Sequence, residues 1–193
     1  MKLTKKRVYY VCSIVVIAAG LIMISINGYK LLKPEASEKK FDAHKKTNQL
    51  KTDEPLYKRA PVKGEIIGQL IIPKINADLP IYEGADEDEL EKGVGHFAQS
   101  VLPGENDNSV LSGHRDTVFR KLGQMQKNDI VIVKTSAGQF KYKIRKTRIV
   151  DADDRTVIVP KPRATLTVTT CYPFNFIGDA PQRFIIEAVL ITK

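Results

Sequence analysis

Tryptophan is missing altogether, and the 193 residues hold three histidines and two cysteines. Each shortage excludes something. Cys12 sits in an apolar N-terminal run and Cys171 near the other end, so no disulfide framework is expected to hold the fold. His44, His96 and His114 are scattered, without the ligand spacing of a zinc centre. Neither a glycine-rich phosphate loop nor an internal repeat is present. Cofactor and metal sites are therefore not expected.

The net charge of +9 is not spread along the chain. Residues 1–28 carry four Lys/Arg and no acid, residues 29–63 carry ten against five acids, and residues 64–193 carry seventeen of each sign. The excess lies in the N-terminal flank and the segment after it, where it suits an anionic envelope surface. This distribution argues against a nucleic-acid partner.

Long hydrophobic runs are limited to one. Val8 to Ile26 contains no charge, and as a helix its 19 residues would span about 28 Å, close to a bilayer's hydrocarbon core. Lys2, Lys5, Lys6 and Arg7 precede it, which keeps the N-terminus inside and sends the rest out. A cleavable signal peptide would have a shorter core ending in a small-x-small site, whereas Ala18-Ala19-Gly20 lies mid-run. We expect a basic cytoplasmic flank over 1–7, a membrane anchor over 8–27, a flexible linker over 28–61 and a catalytic domain over 62–193. The linker is rich in Lys, Glu, Asp and Thr and poor in aliphatics, a composition that does not order itself; His44 reads as a solvated linker residue.

From Glu65 the texture changes to short strand-like runs at 66–73, 79–82, 109–112, 129–134, 139–150, 165–171 and 183–191. Residues 85–92 favour a short helix with acids in its first turn, and Ser136-Ala137-Gly138 reads as a hairpin turn. Phe140, Tyr142 and Ile144 alternate with Lys141, Lys143 and Arg145, the pattern of a half-buried edge strand. The whole indicates a mainly β fold, a single barrel or sandwich with one or two short helices. Asp86, Glu87, Asp88, Glu89 and Glu91 lack the loop glycine and alternating ligands of a calcium cage, and read as a solvated helix start.

The chemistry centres on Cys171. Leu166 and Val168 share one face of their strand, and Thr165, Thr167, Thr169 and Cys171 the other. With the aliphatics inward, the thiol would face a threonine-lined polar groove. A buried structural cysteine is the alternative. A free thiol is only a few per cent thiolate at neutral pH, so it needs an imidazole to take its proton and later protonate the leaving amine. His114, past a strand and Gly113, is the candidate; His96, between Gly95 and Phe97, competes for the role. Asp116 would either orient His114 or pair with Arg115. Arg183 at the start of the last strand would offer donors to a developing oxyanion.

Together these residues resemble a known family. Thr165-Leu166-Thr167-Val168-Thr169-Thr170-Cys171 is similar to the TLxTC signature of sortases in a slightly expanded form. Gly113-His114-Arg115-Asp116-Thr117 and Ala180-Pro181-Gln182-Arg183-Phe184 resemble the family's histidine and arginine motifs, in the same order. Cys171-Tyr172-Pro173-Phe174 and Ile177-Gly178-Asp179-Ala180-Pro181 are most similar to class D. The resemblance implies an eight-stranded β-barrel behind a transmembrane anchor in a Gram-positive type envelope. It implies a transpeptidase that cuts an LPxT-type sorting signal of secreted proteins and joins them to a cell-wall peptide amine. Cys171 would be the nucleophile, active as the thiolate–imidazolium pair, His114 the general acid/base and Arg183 the stabiliser of substrate and oxyanion. The loop 151–164 would shape the substrate groove. An exported cysteine peptidase, a wall L,D-transpeptidase and a non-catalytic wall-binding module are the alternatives; the SHGC-type segment of the second is absent.

Overall fold

A computed structural model describes residues 55–175, 178 and 180–193. The expected anchor, most of the expected linker, Cys12 and His44 lie outside the described residues. No helix among the described residues is long and apolar enough to cross a membrane.

Eight strands close into a barrel: β1 (Ile66–Ile72), β2 (Ala77–Glu83), β3 (Val94–His96), β4 (Asn108–Ser112), β5 (Ile130–Thr135), β6 (Gly138–Asp151), β7 (Thr165–Tyr172) and β8 (Gln182–Thr192). Around the wall the order is β1-β2-β3-β4-β7-β8-β6-β5. One short helix, α1 (Glu87–Leu90), connects β2 to β3, shorter than the 85–92 expected. The barrel forms because period-two alternation places one aliphatic set per strand inward. Leu70, Ile72, Val131, Val133, Phe140, Tyr142, Ile144, Leu166, Val168, Ile186 and Ala188 form its sealed interior. Gly68 lets β1 pair closely with β5 at its bulge, since a Cβ there would lie 2.1 Å from the Lys134 carbonyl oxygen.

Two features depart from the sequence reading. β3 was not anticipated as a strand: three residues that follow Gly93 and contain Gly95 carry too little pattern, yet it pairs parallel to β2 and antiparallel to β4 and completes the wall. β6 is half-buried as expected but is not an edge, because β5 and β8 flank it on either side. Its lysines are outward residues of a closed wall, not guards of an open one. The Ser136–Ala137 turn joins β5 to β6 as expected, with Gly138 at a φ of 138°. Upstream of residue 62, Leu56 packs on the core and the Tyr57 hydroxyl donates to Pro103 O at 2.6 Å, so the segment around Tyr57 already belongs to the barrel's surface.

Candidate active site

β7 and β8 run antiparallel, and their register sets Cys171 directly opposite Arg183. Directly opposed residues share a face, so thiol and guanidinium lie on the same outer surface of the barrel. Cys171 is a free, half-buried cysteine. Past it Tyr172, Phe174 and Phe184 pack edge-on, with ring centres 5.7 and 5.4 Å apart, and anchor the strand end. Arg183 donates through Nη1 to Ala180 O at 3.0 Å and Gln182 O at 2.9 Å. Those bonds hold the guanidinium itself in the β7–β8 corner.

β4 lies on the other side of β7, parallel to it, with Ser112 level with Thr169. Gly113 N–H donates to Thr169 O, and the Thr170 hydroxyl donates to Gly113 O at 2.7 Å. His114 therefore leaves β4 beside the end of the strand that carries Cys171. Gly113 is needed there, because a Cβ would lie 2.6 Å from the ring of the sealed Phe119. Phe119 N–H in turn bonds His114 O at 3.0 Å. The His114 ring is 31 % exposed, and its Nε2 lies 3.4 Å from Glu87 Oε1 on α1. The carboxylate beside His114 is thus Glu87 and not Asp116, whose backbone oxygen accepts from Arg120. Arg115 bonds Gly178 O at 2.8 Å, tying this loop to the β7–β8 connection.

His96 occupies a different setting. Its ring is 1 % exposed, with Nδ1 2.7 Å from Glu83 Oε2 and Nε2 3.0 Å from Val101 O. Ser100 Oγ lies 3.1 Å from Nε2, giving the connectivity of a Ser-His-Glu triad. The hydroxyl, however, donates to Phe97 O and accepts from Val110 N–H, and Nε2 faces a fixed carbonyl acceptor. Both ring nitrogens thus already have buried partners, and the Ser100 hydroxyl is held by Phe97 and Val110 and is not presented to a ligand. A cavity of about 570 Å³ borders this network, lined by Lys63, Gly84, Asp86, Ser100 and Glu105, and it touches none of Cys171, His114 and Arg183.

The groove expected along the threonines is largely closed. Thr165 and Thr167 are buried, and only Thr169 and Cys171 reach solvent. The cause is the β6–β7 loop, which lies over them. Thr167 donates to Asn108 Oδ1, while Asn108 Nδ2 donates to Val157 O and Val159 O, both at 3.1 Å. Lys161 N–H bonds Asp107 Oδ1 at 2.6 Å. On β8, opposite Thr167, the buried Glu187 draws in Lys146, Arg148 and Lys161 at 3.2–3.3 Å. A buried carboxylate is costly unless paired, and here three cations pair it and lock the loop to the wall. The solvated reading of the 86–91 acids also fails at one position: Glu89 is 3 % exposed and turns in against Gly84.

Comparison with known proteins settles the kinship. A family model for the sortase domain matches residues 70–191. The chain belongs to the sortase family. It is 45 % identical to sortase D of Bacillus subtilis over 190 residues, covering 92 % of this chain and 96 % of that relative. A Clostridium perfringens sortase D5 transpeptidase superposes with a TM-score of 0.62 at 31 % identity, covering 68 % of this chain and 82 % of the other. Sortase A from Corynebacterium diphtheriae gives the same TM-score at 28 % identity, and this chain spans 63 % of that longer one. Sortases are cysteine transpeptidases, and the eight-stranded barrel described above is the sortase fold.

In this sortase the residues that sequence reasoning missed are those that act across the fold. Glu87, Thr170 and Asn108 carry no local signal, since an acid in a helix start, a threonine in a strand and an asparagine before one are ordinary residues there. Only the strand order brings them to His114, Gly113 and the β6–β7 loop.

Proposed function

We propose that this sortase cleaves an LPxT-type sorting signal through Cys171 and transfers the shortened protein to an amine of the cell-wall peptide. The observation that supports this most strongly is the register that opposes Cys171 to Arg183, with His114 leaving the neighbouring strand at the same end. In that arrangement the Cys171 thiolate attacks the threonine carbonyl, and the Arg183 guanidinium stabilises the negative charge that gathers on its oxygen. The imidazolium of His114 then protonates the departing nitrogen as the C–N bond breaks. An amine attacks the thioacyl carbonyl, gives a proton to His114 and releases Cys171. The loop 152–164, held by Asn108 and Glu187, forms the wall beside this face.

The acceptor and the setting belong to the same reading. The apolar run at 8–27 holds the enzyme in the membrane of a Gram-positive type envelope, with residues 1–7 inside and the barrel outside. Mass spectrometry of the protein incubated with a panel of LPxT peptides should find a thioacyl adduct on Cys171. Cys171→Ala should abolish the adduct and lower kcat/KM by several orders of magnitude. Retained cleavage by Cys171→Ala would reject the assignment.

A further inference from the structure

The acylation half of the reaction occupies Cys171, His114 and Arg183, but nothing in that set selects an amine over water. At neutral pH an aliphatic amine arrives as an ammonium, and a cation is recognised by a carboxylate beside the base that must deprotonate it. Glu87 stands at that place. Its Oε1 lies 3.4 Å from Nε2 of His114, and its side chain is 73 % exposed.

Two roles compete for such a carboxylate, and exposure decides between them. A group that holds the His114 ring in place would need to be fixed itself, and an ion pair this open to solvent holds a side chain weakly. The backbone that carries the ring is fixed without Glu87, by the Thr170–Gly113 and Phe119–His114 bonds on either side. Two of the neighbouring acids are committed elsewhere, Asp86 to Lys63 and Glu89 to the interior. Glu87 is left open to solvent while touching the base.

We infer that Glu87 binds the ammonium of the amine acceptor and hands it to His114, so that it sets the preference for a cationic amine as the resolving nucleophile. The inference rests on the function proposed above. In the step, the bound ammonium gives one proton to neutral His114 and becomes an amine. Its nitrogen attacks the thioacyl carbonyl; the C–N bond forms, the C–S bond breaks, and sulfur leaves as thiolate. The second amine proton passes to water, and the thiolate–imidazolium pair is restored.

The test uses two nucleophiles with the full-length chain in detergent and an LPxT peptide as donor. Nα-acetyl-lysine offers a cationic ε-amine, and hydroxylamine is uncharged at neutral pH. Glu87→Gln should raise KM for Nα-acetyl-lysine five- to twenty-fold and leave KM for hydroxylamine within twofold, and Glu87→Asp should recover most of the loss. Equal change with either nucleophile would show a role in placing His114 and overturn the inference. No change with either would overturn it as well. If the wild-type chain forms no Cys171 adduct with any donor, the proposed function itself fails, and this inference with it.

Discussion

His96 and His114 sit in two regions of one barrel and show what burial does to the same side chain. The His96 region is closed: the ring is 1 % exposed and both nitrogens meet fixed acceptors, Glu83 and Val101. The His114 region is open: the ring is 31 % exposed, and its described charged partner is a solvent-facing carboxylate. From the sequence each was a candidate base following a glycine. A histidine with every nitrogen committed joins segments together, whereas one with capacity to spare can exchange protons with a ligand. The difference is one of partners, not of residue type.

Replacing each histidine in turn is the sharpest way to break this comparison. His114→Ala should lower kcat/KM for peptide transfer by about 10²–10⁴ while hardly moving Tm, because little packing is lost. His96→Ala should do the reverse. It leaves Glu83 buried without its partner, a loss of about 3–5 kcal/mol, seen as a fall in Tm of roughly 10–20 °C in calorimetry. Activity per folded molecule should survive. Should His96→Ala lose activity without losing stability, and His114→Ala keep it, the base would move to His96.

Between these extremes lies Asn108, which joins Thr167 to the β6–β7 loop. Asn108→Ala should cost about 1–3 kcal/mol by orphaning buried partners, and raise the donor-peptide KM as the loop loosens. Unaltered KM alongside the expected stability loss would detach the loop from substrate binding. The smallest effect is expected at Tyr57, whose hydroxyl bonds Pro103 O and Thr135 Oγ1. Burial holds its phenol well above the usual range, so the folded chain keeps a proton that the unfolded chain loses. Stability should therefore decline as pH rises above about 10. Tyr57→Phe should cost about 1 kcal/mol and flatten part of that decline in urea titrations.

Much of the barrel was legible in the chain itself. Alternation in 139–146 marked its inward face, and seven of the eight strands stood where the apolar runs were. β3 was not legible because its three residues are a strand only by virtue of β2 and β4 on either side. The candidate site was legible as a set of residues: a lone thiol at a strand end, a histidine after a glycine, an arginine opening the last strand. Its surroundings were not. The threonine groove was expected open and is roofed as far as Thr167, since the Asn108 and Glu187 contacts that bring the loop down span many residues.

Local order, then, wrote down which residues would be strands, which faces would be apolar and which three side chains had chemistry to offer. Period-two alternation and residue type are properties of neighbours along the chain. Barrel closure decided that Cys171 opposes Arg183, that Glu87 touches His114 in place of Asp116, and that His96 is sealed. Those outcomes depend on strand order and register, which are settled only when distant segments pair to bury the apolar faces of one another.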